Sequence, residues 1–132
     1  LRIFKDHPVV GVGDIGIEQV WPFYAPPENE SVGHLHNNLM MWLVTLGSVG
    51  FVILIGLFVK VWITMSRIEK TLHDNWYLGS VALGCLAVIA GFHVNGLFEW
   101  NFGDAEIIMV VWTIVGMTLA AEKVAALEGK VA

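Results

Sequence analysis

The sequence predicts an all-α fold built from membrane-crossing helices, and three observations carry the prediction. Charged residues fill only 14% of the 132 positions and hydrophobic ones 56%, where soluble domains carry about 25% charged residues. The mean hydropathy is +0.68. Three apolar runs, Leu39 to Ile63, Tyr77 to Phe98 and Ile107 to Ala121, approach or exceed the roughly 20 residues that a helix needs to cross a bilayer core. The expected architecture is a polytopic integral membrane protein of about three transmembrane helices behind an N-terminal loop. Arg2-Ile3-Phe4-Lys5-Asp6-His7-Pro8 reads as the interior of a longer chain, so a fragment of a larger helical bundle is expected.

Residues 1–33 form the loop. Pro8 stops any helix in the opening residues, because its ring removes a donor and restricts the residue before it. Gly11-Val12-Gly13-Asp14 reads as a turn, and Ile15 to Val20 as a short interfacial helix. Pro22, Pro26 and Pro27 forbid regular structure up to Ser31. Asn29 or Ser31 is a suitable cap for the helix that follows.

Residues 34–132 form the membrane domain, with spans at about 39–63, 77–98 and 106–122. A helix starting near residue 34 would put 36, 40, 43, 47, 50 and 54 on one stripe. His36 would then share a face with Gly47 and Gly50, a seam where a second helix approaches closely. Ser66 to Asn75 continues the first helix into a tight turn at His73-Asp74-Asn75. Gly79, Gly84 and Gly91 suit close helix approach in the second span. Phe98 to Asp104 is a loop, with Asp104 placed to cap the third span, and Glu122 to Ala132 is a short tail.

Charge sets the orientation. Five of the seven basic residues (Lys60, Arg67, Lys70, Lys123, Lys130) fall on one side of the spans, which the positive-inside rule assigns to the cytoplasm. Arg2 and Lys5 share the outer side with Asp6, Asp14, Glu18, Glu28, Glu30, Glu99 and Asp104. Trp21, Trp100 and Phe102 fit an outer aromatic belt, and Trp76 and Tyr77 an inner one. A net charge of −5 offers no basic field, so no nucleic-acid partner is expected. The single Cys85 lies within the second span and has no partner for an intramolecular disulfide.

The polar groups at the outer boundary are the candidate site: His34, His36, Asn37, His93 and Glu99. Ionisable groups at such a boundary have a cost and hence, by default, a use. The competing account of His36 is an interfacial residue that caps and hydrates a helix end. For His93 and Glu99 the choice is between lining one cavity with Asn95 and serving as interhelical hydrogen bonds or loop solvation. His34-Leu35-His36 is a weak metal signal, since two histidines so spaced on a helix point about 160° apart.

Three motifs resemble one family. His36-Asn37 followed by Gly47 and Gly50 is similar to the C-terminal region of the O-antigen ligase/polymerase superfamily. Phe4-Lys5-Asp6-His7-Pro8-Val9-Val10-Gly11-Val12-Gly13 resembles the segment that opens that region. Gly96 to Asp104 looks like its outer loop between the last spans. The resemblance implies a membrane glycosyltransferase of the GT-C type in a bacterial inner membrane, working at the periplasmic face. Its implied partners are an undecaprenyl-pyrophosphate-linked glycan donor, a lipid A–core or other glycan acceptor, membrane lipids, and N-terminal transmembrane helices of the same protein.

The family histidine carries over onto His36 and the adjacent amide onto Asn37 as candidate catalytic residues, Asn37 to orient either a sugar hydroxyl or the imidazole tautomer. Chemistry agrees with the histidine's role, because an imidazole with an ordinary pKa of about 6.5 can take the proton of an attacking hydroxyl. Arg2 and Lys5 are candidate phosphate contacts, and His34, His93 and Glu99 candidate substrate-binding groups. No Asp-x-Asp pair lies on the outer side to hold a metal against a diphosphate, so a metal-independent reaction without a cofactor is expected. The alternatives are an O-antigen polymerase, or a non-enzymatic transporter in which His36, His93 and Glu99 form a polar pathway. A transporter would place polar groups through the depth of the bundle, yet Phe51 to Val59 and Val81 to Ala90 are nearly free of them.

Overall fold

The computed structural model describes residues 2–13, 17–25 and 35–129. They form α1 (Arg2–Asp6), α2 (Ile17–Val20), a 3-10 turn over Trp21–Phe23, and the long helices α3 (Asn38–Leu72), α4 (Trp76–Asn95) and α5 (Ala105–Leu127). Among the described residues there is no strand. The protein is all-α, and α3, α4 and α5 are each long and apolar enough to cross a membrane. The third apolar run extends to 23 helical residues by recruiting Ala105-Glu106 and Glu122 to Leu127. His34, Asn29 and Ser31 lie outside the described residues.

The chain divides into two compact units, Leu1–Gly56 with Asn95–Phe102, and Leu57–Val94 with Gly103–Ala132. One boundary falls inside α3 and another at the last residue of α4.

In the first unit, Ile3, Ile17, Met41 and Val44 form the core, with Phe4, Val12, Val20, Trp21, Tyr24, Leu35 and Trp100 packed around them. Burying such a side chain fully contributes about 1.5–3 kcal/mol, and this is what fixes one-turn α1 and α2, which are too short to persist alone. Trp42, 1% exposed, meets Phe102 edge to face at 5.3 Å. Pro8 ends α1 as expected.

The stripe expected through His36, Gly47 and Gly50 does not form, for two reasons. First, α3 starts at Asn38 rather than near residue 34, because Asn37 is its cap: Asn37 Oδ1 accepts the Met40 N–H at 2.9 Å. Second, Gly47 breaks α3, with φ 63° and ψ −171°, a conformation essentially confined to glycine. The break frees helix carbonyls on one side and amides on the other, and the 8–13 loop takes them up. Val12 and Gly13 N–H donate to the Val44 and Thr45 carbonyls at 3.0 and 2.9 Å. Ser48 and Val49 N–H donate to the Pro8 and Val9 carbonyls at 2.9 and 3.2 Å. Gly47 is thus a docking point for a loop and not part of a helix-packing seam. A Cβ on it would lie 2.4 Å from the Val9 carbonyl, and one on Gly11 2.5 Å from that of Thr45. Freed backbone groups in an apolar setting must be satisfied by protein, and here one short loop does so at both broken ends.

In the second unit the core is Met65, Ile68 and Leu72 on α3, Ala82, Cys85 and Ile89 on α4, and Val115, Ala121 and Ala125 on α5. The helical spacing within each set gives one inward stripe per helix, and the alanines let backbones approach. The expected turn at His73-Asp74-Asn75 is present, and Asn75 Oδ1 accepts the Leu78 N–H at 3.1 Å. Gly79 fits against that turn, where a Cβ would sit 2.9 Å from the Leu72 carbonyl, but Cβ atoms on Gly84 and Gly91 would meet nothing within 4 Å. Those two are not close-approach points among the described residues. Thr64, Thr71, Ser80 and Thr118 donate to carbonyls four residues back, so their hydroxyls are satisfied within their own helices. Asp104 occupies the cap position of α5 but makes no side-chain cap bond.

Candidate functional site

The site is assembled at the start of α3 by the 96–102 loop. After α4 ends, Phe98 and Glu99 N–H donate back to the Asn95 carbonyl at 2.9 and 3.0 Å, turning the chain toward α3. Asn38 N–H then donates to the Gly96 carbonyl at 2.7 Å, and Asn37 Nδ2 to the Leu97 carbonyl at 2.8 Å. Asn38 Nδ2 donates to Asn101 Oδ1, while Asn38 Oδ1 accepts the Phe102 N–H at 3.3 Å.

These contacts bring two ionisable groups together across 63 residues of sequence. His36 Nδ1 and Glu99 Oε1 lie 2.7 Å apart, and the same oxygen accepts the Trp100 N–H at 3.0 Å. A carboxylate only accepts, so a neutral imidazole in this contact carries its proton on Nδ1 and has Nε2 as its basic nitrogen. Their side chains are 64% and 46% exposed. A pair so open to water adds little stability; what it sets is the orientation and tautomer of the imidazole.

The other predicted groups take different parts. Asn37 has its carbonyl oxygen on the helix cap and its NH₂ on Leu97, so its amide holds the scaffold instead of reaching for a hydroxyl. Arg2 and Lys5 are exposed on α1, three residues apart and so on one side of its single turn, while Ile3 between them is buried. His93 belongs to the second unit. Its Nδ1–H donates to the Ile89 carbonyl at 2.8 Å within α4, and its ring meets Phe58 edge-on at 4.6 Å. That is an intrahelical bond, not the interhelical one considered from sequence. Among the described residues no three His, Cys, Asp or Glu side chains converge as metal ligands do.

Sequence reasoning missed Asn38 and Asn101. The available signal was the tandem amide Asn37-Asn38 beside an apolar run, matched by a lone amide in the loop Glu99-Trp100-Asn101-Phe102.

Residues 1–55 match the O-antigen ligase family. No curated protein matches the chain. The matched segment contains α1, the 8–13 loop, Gly47, His36, Asn37 and Asn38. The motif resemblance is therefore borne out for its first two motifs, while Glu99 and Asn101 lie beyond the matched residues.

Proposed function

We propose that this protein is an O-antigen ligase-like glycosyltransferase, moving a glycan from undecaprenyl pyrophosphate to a lipid A–core or similar acceptor at the periplasmic face of the bacterial inner membrane. The observation that carries the reading is the 2.7 Å pairing of His36 with Glu99, its histidine inside the segment matched to the O-antigen ligase family. His36 Nε2 takes the proton of the acceptor hydroxyl as that oxygen attacks the anomeric carbon. The bond from that carbon to the pyrophosphate breaks, and the leaving group keeps the electron pair. Glu99 holds the imidazole and balances the charge it acquires. Arg2 and Lys5 meet the pyrophosphate as fixed cations, with no metal required. The runs Phe51 to Val59 and Val81 to Ala90 contain no charged residue, which supports chemistry at the outer boundary over a polar pathway through the spans.

The test is complementation of a surface-glycan-deficient strain by the full-length protein carrying His36→Ala, with membrane levels measured. Loss of glycan transfer at a normal protein level supports the base. Unchanged transfer sinks it and leaves His36 as a residue of the helix entry. Polymer accumulating on its lipid carrier while lipid A–linked glycan disappears identifies a ligase over a polymerase.

A further inference from the structure

The hydrogen bonds at the first turn of α3 single out two amides that the chemistry above does not use. Asn38 is 3% exposed and Asn101 1%, and side-chain amides buried to this degree are normally held by specific partners. The orientation of Asn38 is dictated by its surroundings. A backbone N–H only donates, so the Asn38 atom facing Phe102 is Oδ1. Its Nδ2 must then face Asn101, and the Asn101 atom that receives it must be Oδ1. With the Asn38 N–H on the Gly96 carbonyl, one residue grips the loop at Gly96, at Asn101 and at Phe102. Glu99 lies between those grips, beside Leu97 and Phe98, which are 45% and 75% exposed.

We propose that the buried Asn38–Asn101 pair is the positioning device for Glu99. It ties the Asn101–Phe102 end of the 96–102 loop to the first turn of α3, whose backbone N–H already holds Gly96, keeps the carboxylate on His36 Nδ1, and so sets which imidazole nitrogen is basic. Glu99 is half open to water, which competes for its oxygen, and a mobile loop would give the contact away. The kinetic side of this inference rests on His36 being the base, whereas the structural side rests on the hydrogen bonds alone.

The experiment has two arms, both on the full-length protein. In membranes supplied with undecaprenyl-pyrophosphate-linked glycan and lipid A–core, transfer is compared for Asn101→Ala, Glu99→Ala and the double variant. A single-site loss of about tenfold or more in kcat, with acceptor KM changed less than about twofold, is expected for Asn101→Ala. In the Glu99→Ala background the same substitution should add less than about twofold, because the two act as one unit. Independent, multiplying losses overturn the proposal while leaving His36 as base.

The second arm needs no activity. Nitrogen-15 histidine spectra in nanodiscs, with the His36 signal identified by its absence in His36→Gln, report the tautomer directly. The wild-type signal should be that of an Nδ1–H imidazole, and Asn101→Ala should shift it toward the Nε2–H form. An unmoved tautomer in Asn101→Ala overturns the proposal whatever the transfer assay gives. If His36→Ala transfers normally, the function fails, and the spectra still decide the role of the amides.

Discussion

A carboxylate held 2.7 Å from one imidazole nitrogen decides which nitrogen remains basic, so the consequences of Glu99 are best drawn from its replacements. Glu99→Gln keeps an acceptor oxygen but loses the charge that balances a protonated ring. It should lower glycan transfer by about tenfold to a hundredfold at equal membrane level, a smaller loss than that of His36→Ala. Wild-type rates for Glu99→Gln would remove the carboxylate from the mechanism. A second residue makes a pH prediction. A hydrogen bond to Asp6, then burial, then the negative charge of Asp6 push the Tyr24 phenol above its ordinary value. A raised pKa means that the neutral phenol is favoured in the folded state. Its contribution is complete below the ordinary phenol range and is lost as pH climbs through the raised value. Ultraviolet titration of tyrosinate should show one late-ionising tyrosine that is absent in Tyr24→Phe; superimposable titrations would contradict the contact.

At the scale of elements, the break in α3 is the least tolerant feature. Any side chain at Gly47 meets both a forbidden backbone conformation, costing about 1–3 kcal/mol, and the Val9 carbonyl at 2.4 Å. Gly47→Ala should therefore lower the thermal midpoint of the detergent-solubilised protein by several degrees. Gly84→Ala offers the contrast, since its Cβ enters open space and alanine is the better helix former by about 1 kcal/mol; it should be neutral or stabilising. Equal effects of the two would mean that the loop does not dock at Gly47. Asn37→Ala removes a helix cap worth about 1 kcal/mol and one of the bonds to the 96–102 loop. Its loss of stability should accompany its loss of transfer, as expected for a residue that holds scaffold without touching substrate.

For the whole molecule, the charge asymmetry predicts that the His73-Asp74-Asn75 turn faces the cytoplasm and the 96–102 loop the opposite side. With Cys85 replaced by Ala, a single cysteine at Phe98 should react with a membrane-impermeant thiol reagent on cells with a permeabilised outer membrane. One at Asp74 should react only after lysis. The reverse pattern would put the His36–Glu99 pair on the wrong side for a periplasmic reaction. Phe98 is 75% exposed and Asp74 is exposed as well, so reagent access differs by sidedness and not by burial.

The sequence by itself determined the elements. Three apolar runs, a tight turn at His73-Asp74-Asn75 and a proline ending α1 are all local facts, since span length, proline geometry and turn chemistry need no knowledge of neighbours. It also pointed to His36, through its residue type and its place at a polar boundary. Tertiary structure alone decided the rest. Gly47 read as a helix-packing glycine because periodicity assumes an unbroken helix, and nothing local announces that a loop nearly 40 residues earlier will take up the freed backbone groups. Asn37 read as a group that orients a sugar hydroxyl or the imidazole, because the carbonyl that engages its NH₂ lies 60 residues away. The pairing of His36 with Glu99, and the buried clasp of Asn38 on Asn101, are likewise contacts between distant segments. Periodicity records which face of an element is apolar, whereas a hydrogen bond depends on where two chain segments meet.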